Sequence, residues 1–306
     1  MNIPLIVVTG PTASGKTGFA AELAEYFNAE VVSADSMQIY RHMDIGTAKP
    51  SEKEMRGIKH HMIDIAEPGE DFSVSQYCDM ASKAIEDIHS KGKRVIIAGG
   101  TGLYIDSLIN GTTFGEGDIN IELRNDLEHL ARIYGNEYLV NMLAEFDEVS
   151  AARIHKNNLR RIIRAIEFYK MNGIPISEHQ SSRTTGYDRT IKFIINHPRE
   201  VLYERINHRV DIMIESGLFE EAERLYRKGV LKGTALAGIG YKEVIMYLRG
   251  FSSFGETVEL IKRGSRRYAK RQLTWFRRSN DIIYLDPEED FVSEAKTRIG
   301  EFLNET

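Results

Sequence analysis

Short runs of apolar, often β-branched residues alternate with helical patterns in the N-terminal part of the chain and return near its end. Apolar positions between the first runs recur at helical spacing, as in Phe19, Leu23 and Phe27. Strand–helix–strand alternation predicts an α/β fold in which helices flank a parallel sheet. The runs predicted as buried strands are Ile3–Val8, Val31–Ser33, Met62–Ile65, Val95–Ala98, Ile191–Ile195 and Ile282–Leu285.

Between Gly111 and Asp188 the strand signals stop, and polar, glycine-containing stretches stand near both ends of this segment. We therefore predict two domains: a P-loop catalytic core of residues 1–113 and 188–306, and an all-helical insertion of residues 114–187. The helices predicted in the insertion and after it are Asn120–Ile133, Glu137–Phe146, Leu159–Lys170, Pro198–Ser216 and Glu256–Arg278.

The composition is that of an ordinary globular protein, with 42% hydrophobic and 28% charged residues and a net charge of −5. The sequence shows no apolar run long enough to span a membrane and no export signal at its start. The single cysteine, Cys78, excludes an internal disulfide framework and a cysteine-ligated zinc site. We therefore expect a cytoplasmic monomer that does not bind membranes.

Charge is unevenly distributed along the chain. Residues 151–170 contain six Lys or Arg and one Glu, residues 260–278 contain eight Lys or Arg and no acid, and the rest carries −18. Two basic clusters on an acidic chain favour contact with a phosphate backbone. Solvated helix faces are the alternative interpretation.

A glycine-rich loop with the complete pattern G-x-x-x-x-G-K-[ST] follows the first predicted strand. Such loops turn backbone N–H groups toward phosphate oxygens at the N-terminus of a helix. Lys16 is suited to neutralise a phosphate, and the Thr17 hydroxyl is suited to ligate Mg²⁺. The loop predicts a di- or triphosphate site and leaves open whether ATP also binds there. Its residues are Gly10, Pro11, Thr12, Ala13, Ser14, Gly15, Lys16 and Thr17.

Two further polar turns follow predicted strands, at Asp35–Gln38 and at Gly99–Tyr104. The carboxyl ends of parallel strands meet at one edge of a sheet, where ligands bind. Asp35 fits a general base, a ligand of Mg²⁺-bound water or a helix N-cap. Gln38 carries the amide pattern that pairs with an adenine edge, and Thr101 offers a hydroxyl at the same edge.

Together these strings resemble the tRNA dimethylallyltransferase (tRNA isopentenyltransferase) family in its bacterial form. The resemblance implies transfer of a dimethylallyl group from dimethylallyl diphosphate to N6 of the adenosine 3′ of the anticodon, with release of diphosphate. The implied partner is the anticodon stem-loop of certain tRNAs. The matching strings are Gly10–Thr17, Asp35–Tyr40, Gly46–Pro50, His60–Asp64, Phe72–Val74, Gly99–Tyr104, Arg161–Glu167, Gly238–Glu243 and Tyr268–Arg277.

The resemblance also implies roles for individual residues. Asp35 would be the base that deprotonates N6, Thr101 would assist at the bridging oxygen, and Arg209 would bind diphosphate. The phosphate loop alone fits a P-loop small-molecule kinase or an RNA-stimulated ATPase equally well. The RNA contacts implied by resemblance are Asp35, Ser36, Met37, Gln38, Thr101, Arg124, Arg160, Arg161, Ile162, Ile163, Arg164, Ala237, Gly238, Ile239, Gly240, Tyr241 and Lys242.

Overall fold

A computed structural model describes residues 3–112, 120–178 and 186–304. The strands are β1 Leu5–Thr9, β2 Ala29–Ser33, β3 His60–His61, β4 Arg94–Gly99, β5 Thr190–Ile195 and β6 Ile282–Leu285. The helices are α1 Lys16–Tyr26, α2 Glu52–Met55, α3 Val74–Ser90, α4 Gly102–Asn110, α5 Ile121–Tyr134, α6 Asn136–Ala144, α7 Glu148–Arg153, α8 Leu159–Asn172, α9 Arg199–Glu215, α10 Leu218–Arg227, α11 Gly233–Leu236, α12 Tyr241–Leu248, α13 Phe254–Phe276 and α14 Phe291–Asn304. Within these ranges, no helix has both the length and the apolar character needed to cross a membrane.

The six strands form one parallel sheet in the order β3-β2-β4-β1-β5-β6. Successive side chains of a strand point to opposite faces, and β1 shows the result. Leu5 and Val7 pack into one hydrophobic core, whereas Ile6 and Val8 pack into another on the opposite face. Because helices cover both faces, β1 is apolar at successive positions, as expected of a strand buried on both sides. The predicted α/β class is confirmed.

One predicted strand is wrong. No strand is present at Met62–Ile65, where we predicted one. The short strand β3 covers His60–His61 and ends immediately before this segment. Met62 and Asp64 have left-handed backbone angles, with φ of 63° and 56°, and such a backbone cannot continue a strand. Met62 is nevertheless buried in the core. The apolar residues of this irregular turn therefore imitate the pattern of a strand.

The chain divides into two compact units, one of Met1–Gly111 with Thr185–Thr306 and one of Thr112–Thr184. These boundaries lie two and three residues before the predicted ones. The described part of the second unit is helical, from α5 to α8. Its helices enclose a hydrophobic core of their own, which includes Leu127, Leu143 and Ile166.

The long helix α13 belongs to the first unit, and its start is fixed by local chemistry. The Ser253 side chain accepts a hydrogen bond from the Glu256 amide, and the Glu256 side chain accepts one from the Ser253 amide. This capping box satisfies N–H groups that a helix start leaves without partners. On the buried face of α13 lie Ile261, Ala269 and Gln272. Gln272 and Thr257 are the polar residues among the buried positions of this helix, and the others are apolar.

Candidate active site

The glycine-rich loop connects the end of β1 to the start of α1. The chain turns at Gly10, with φ of 143°, and enters the helix through Gly15, with φ of 91°. A side chain at Gly10 would lie 3.2 Å from Ile194 and from the Ser14 hydroxyl, so the loop is tightly packed. It places the N-terminus of α1, with its unpartnered N–H groups, at the edge of the sheet.

The electrostatics of this loop favour an anion. Burial and the nearby Arg209 lower the pKa of Lys16 to about 8, although Asp35 opposes the shift. Burial also lowers the pKa of Arg209, again opposed by Asp35. Two poorly solvated cations on one side of a cavity gain from a negatively charged ligand. The arrangement therefore fits a diphosphate or triphosphate group.

A cavity of about 260 Å³ joins segments that are far apart in the sequence. It brings the phosphate loop together with the Asp35 turn, with Arg209 and with the loop from Ala237 to Lys242. A wider groove of about 860 Å³ also reaches Lys16, Thr17 and Arg209. The polar side chains that line the smaller cavity are Thr12, Lys16, Thr17, Asp35, Ser36, Gln38, Thr47, Arg209, Tyr241, Lys242, Ser265, Tyr268, Arg271 and Gln272.

The Asp35 turn is tied to the turn that carries Thr101. Asp35 Oδ1 accepts the Met37 amide at 2.9 Å. Thr101 Oγ1 accepts the Ser36 amide at 3.0 Å, and the Thr101 amide donates to the Ala34 carbonyl at 3.0 Å. No α-helix begins after Asp35 in this described segment, so the helix-cap alternative is wrong. The carboxylate is instead held at the cavity wall, where a general base or a ligand of metal-bound water would stand.

The side-chain amide of Gln38 is engaged within the protein at both ends. Its Nε2 donates to the carbonyls of Thr47 and Ala48 at 3.4 and 3.2 Å. Its Oε1 accepts the Ser33 hydroxyl at 3.2 Å. The amide that we expected to read adenine therefore holds the loop that contains Thr47 and Ala48.

Sequence reasoning assigned no role to the buried face of α13, which fastens two loops of the site. Gln272 Oε1 accepts the Thr12 amide at 3.0 Å, and its Nε2 donates to the Gly100 carbonyl at 2.8 Å. Four residues earlier, Tyr268 makes a hydrogen bond with the Thr101 side chain. Burial, helped by Asp35, raises the pKa of this phenol to about 12. The helical spacing of Tyr268 and Gln272 was visible in the sequence, but their partners were not.

Close packing explains two glycines beside Thr101. A Cβ at Gly100 would lie 2.2 Å from Gln272 Nε2, and a Cβ at Gly102 would lie 2.3 Å from the Trp275 ring. Arg205 is a further residue without an assigned role, and its Nε donates to the Ala13 carbonyl at 2.9 Å. These contacts brace the phosphate loop and the Thr101 turn from α9 and α13.

In the helical unit, Glu167 organises two of the predicted RNA-contacting arginines. Arg124 donates two hydrogen bonds of 2.8 Å to its carboxylate, and Arg164 donates one of 2.9 Å. Burial opposes ionisation of Glu167, but these bonds outweigh it and lower the pKa of the carboxyl. Each arginine remains about one third exposed, so both can still reach a ligand.

In helix α8, only some residues of the predicted RNA-contacting segment Arg160–Arg164 are accessible. Arg160 and Arg161 are exposed. Ile162 and Ile163 are 0% and 4% exposed and pack in the core of the helical unit. The prediction that the side chains of these two isoleucines contact RNA is therefore wrong, because both are buried in the core of this unit.

The cavity offers oxygen donors that suit Mg²⁺. Thr17 and Asp35 both line it, and hydroxyl and carboxylate oxygens are ligands that this hard cation prefers. Within the described ranges, no cluster of three or more His, Cys, Asp or Glu residues would hold a metal by itself. Thr17 and Asp35 fit Mg²⁺ as partial ligands, since this ion commonly takes its remaining ligands from substrate phosphates and water.

The fold and the site define a P-loop-type enzyme that binds a phosphorylated substrate at the edge of a parallel sheet. Comparison with known proteins narrows this class of enzyme to one family. The IPP transferase family model matches residues 38–279. The tRNA dimethylallyltransferase of Acetivibrio thermocellus is 51% identical over 295 residues, which cover 95% of this chain and 94% of that protein. The chain belongs to the IPP transferase family, as the sequence resemblance implied.

Solved structures agree with this assignment. A tRNA isopentenylpyrophosphate transferase from Bacillus halodurans is 42% identical, with a TM-score of 0.74 and coverage of 99% of this chain and 97% of that one. A eukaryotic dimethylallyltransferase described as acting on tRNA is 29% identical, with a TM-score of 0.82 and coverage of 97% and 77%. The chain is therefore a transferase with the fold of this family.

Proposed function

We propose that this enzyme transfers the dimethylallyl group of dimethylallyl diphosphate to N6 of the adenosine 3′ of the anticodon in certain tRNAs. Its family and the names of its relatives support prenyl transfer to tRNA. The structural observation that carries the proposal is one cavity lined by the phosphate loop, Arg209 and Asp35. Such a cavity can hold a leaving diphosphate opposite a base.

The phosphate side of the cavity is suited to stabilise a leaving group. As the C–O bond of the substrate breaks, its electron pair stays on diphosphate and negative charge grows there. The loop N–H groups, Lys16 and Arg209 would offset that charge at fixed positions, which is the most effective form of electrostatic catalysis. Mg²⁺, held by Thr17 and the diphosphate oxygens, would supply further neutralisation.

The opposite side of the cavity is suited to activate the acceptor. The N6 lone pair of adenosine is delocalised into the ring, so N6 becomes an adequate nucleophile only as it loses a proton. We assign this proton to the Asp35 carboxylate, which the Met37 amide orients. The N6–carbon bond then forms as the carbon–oxygen bond breaks. Thr101, fixed by Ser36 and Tyr268, would contact the bridging oxygen.

The tRNA contacts follow from the location of the target base. An adenosine in a loop must be extruded into a pocket before its N6 can react. We assign this pocket to the turn from Asp35 to Met37 and to the Ala237–Lys242 segment, and the neighbouring backbone to Arg124, Arg160, Arg161 and Arg164. The Gln38 amide and the Tyr241 hydroxyl are bonded within the protein, so these two side chains shape the pocket and do not contact the base. A cytoplasmic monomer remains our expectation, which light scattering and cell fractionation would test.

Mass spectrometry of tRNA tests the function directly. The purified protein is incubated with tRNA, dimethylallyl diphosphate and Mg²⁺, and the RNA is digested to nucleosides. We expect one C5H8 unit on one adenosine, 3′ of the anticodon, and a far smaller gain over the same short incubation with Asp35→Ala. In a parallel reaction with ATP, a phosphorylated acceptor or RNA-stimulated hydrolysis without prenylation would favour the kinase or the ATPase instead.

A further inference from the structure

The reaction proposed above makes no use of Glu221, a buried acid on α10 that is 5% exposed. Its carboxylate accepts the backbone amides of three successive residues, Asp44, Ile45 and Gly46, at 3.0, 3.0 and 3.1 Å. It also accepts the Tyr241 hydroxyl at 2.7 Å. A buried charge is costly unless hydrogen bonds satisfy it. With four hydrogen-bond donors on its carboxylate, Glu221 holds the loop that begins at Asp44 in place.

The anchored loop leads into the active site within two residues. The carbonyl of Ala48 accepts Gln38 Nε2 at 3.2 Å and an Arg209 terminal nitrogen at 3.4 Å. One carbonyl therefore holds a side chain of the Asp35 turn and the predicted diphosphate-binding arginine. Moving this loop would move both sides of the cavity together.

The ring of Tyr241 packs against the same loop at Gly46. A Cβ at Gly46 would lie 2.6 Å from the Tyr241 ring, so the ring lies directly against the loop backbone. Tyr241 itself is fully buried, and it belongs to the segment that we assigned to RNA. Its hydroxyl is committed to Glu221. Tyr241 thus connects the Ala237–Lys242 segment to the loop that holds Arg209.

We infer that Glu221 is a positioning residue, which fixes the Asp44–Ala48 loop against Tyr241 and thereby sets the places of Arg209 and Gln38. An apolar residue of similar size would fill the space but would leave three successive N–H groups unpaired. The carboxylate is therefore used for the geometry of the loop rather than for packing alone. This inference rests on the proposed function for its catalytic consequence, and on the structure alone for its effect on the loop.

Three variants separate the hydrogen bonds of the Glu221 carboxylate from that of the Tyr241 hydroxyl and from a general effect of removing an acid on α10. Glu221→Gln keeps the shape but places an amide NH₂ against N–H donors, so it loosens the loop. Tyr241→Phe keeps the ring on Gly46 and removes one donor. Glu223→Gln is the matched control, because it changes an acid on the same helix that pairs with Arg227 at the surface.

Hydrogen exchange and single-turnover kinetics give the readouts. We expect faster amide exchange at residues 44–46 in E221Q and unchanged exchange in E223Q. The single-turnover rate at saturating substrates should fall on the order of 10- to 100-fold in E221Q, since displacements near 1 Å cost this much. Y241F should show a smaller loss of the same kind. Rates are taken per folded protein, at a temperature below the unfolding transition of every variant.

Several results would overturn the inference. A lower melting temperature with an unchanged rate per folded protein in E221Q would leave Glu221 a purely stabilising residue. Unchanged exchange at residues 44–46 would show that the carboxylate does not hold the loop. If E221Q does not fold, a normal rate in Y241F decides against the inference. If the parent binds dimethylallyl diphosphate but modifies no tRNA, the proposed function fails separately. In that case the affinity for dimethylallyl diphosphate tests the role of Glu221. An unchanged affinity in E221Q would contradict a role through Arg209.

Discussion

The buried position of Lys16 makes diphosphate binding depend on pH in a calculable way. Burial and Arg209, opposed by Asp35, lower the pKa of Lys16 to about 8. A bound diphosphate places negative charge beside the ammonium, which favours the charged form, so the pKa of Lys16 rises again in the complex. Binding above pH 8 therefore takes up a proton, whereas binding well below pH 8 does not.

The magnitude follows from the charged fraction of Lys16 in the free protein. With a pKa of about 8, about nine tenths of the side chain is protonated at pH 7 and about one tenth at pH 9. The ammonium is the form that binds. Affinity is therefore full below the free-state pKa and declines as the pH rises through it. Between pH 7 and pH 9 we expect a loss of about tenfold, or about 1.4 kcal/mol.

Titration calorimetry with dimethylallyl diphosphate, in two buffers of different ionisation enthalpy at each pH, measures affinity and proton uptake together. Lys16→Met is the control, because Met has a similar length and does not titrate. Any pH dependence that remains in K16M belongs to the substrate or to other residues. In the parent alone we expect uptake of about 0.9 proton at pH 9. An affinity change below about twofold, or the same uptake in K16M, would refute this assignment.

Three further predictions concern the base, the basic helix and the α13 anchor. Asp35→Ala should lower the single-turnover rate by about 10²–10⁴ with little change in diphosphate affinity, and near-normal turnover would remove Asp35 from the role of base. Charge reversal at Arg160 and Arg161 should weaken tRNA binding and flatten its salt dependence, whereas R227E/R298E, at exposed positions outside the site, should not. Gln272→Leu should lower the free energy of unfolding in urea by about 1–3 kcal/mol for each of the two backbone groups that it leaves unpaired, and an unchanged urea midpoint would contradict the anchor.

The sequence predicted the features that depend on local pattern. Five of the six strands were predicted within two residues of their observed ends, because a strand buried on both faces needs apolar residues at successive positions. The phosphate loop was equally visible, since its glycines are required at fixed spacing between a strand and a helix. Asp35 follows a strand end, and topology alone was enough to place it at the ligand-binding edge.

The features that escaped prediction depend on contacts between distant parts of the chain. Gln272 lies 260 positions from its partner Thr12, and Glu221 lies 175 positions from Gly46. Nothing in the composition of α10 or α13 distinguishes these two side chains from surface amides and acids. The false strand at Met62–Ile65 has a related cause, because burial there comes from tertiary packing of a left-handed turn.

The two faces of α13 differ in chemistry, and together they relate the basic cluster of this helix to the phosphate loop. On its inner face, Gln272 holds both the phosphate loop and the Gly100 turn, which fixes the rotation of the helix about its axis. On its outer face, Arg263, Arg267 and Lys270 are exposed. The bonds of Gln272 thus set the orientation of these cations relative to the diphosphate site. If RNA binds the outer face, as the charge distribution predicts, then the helix that receives the RNA backbone is also the helix that holds the phosphate loop.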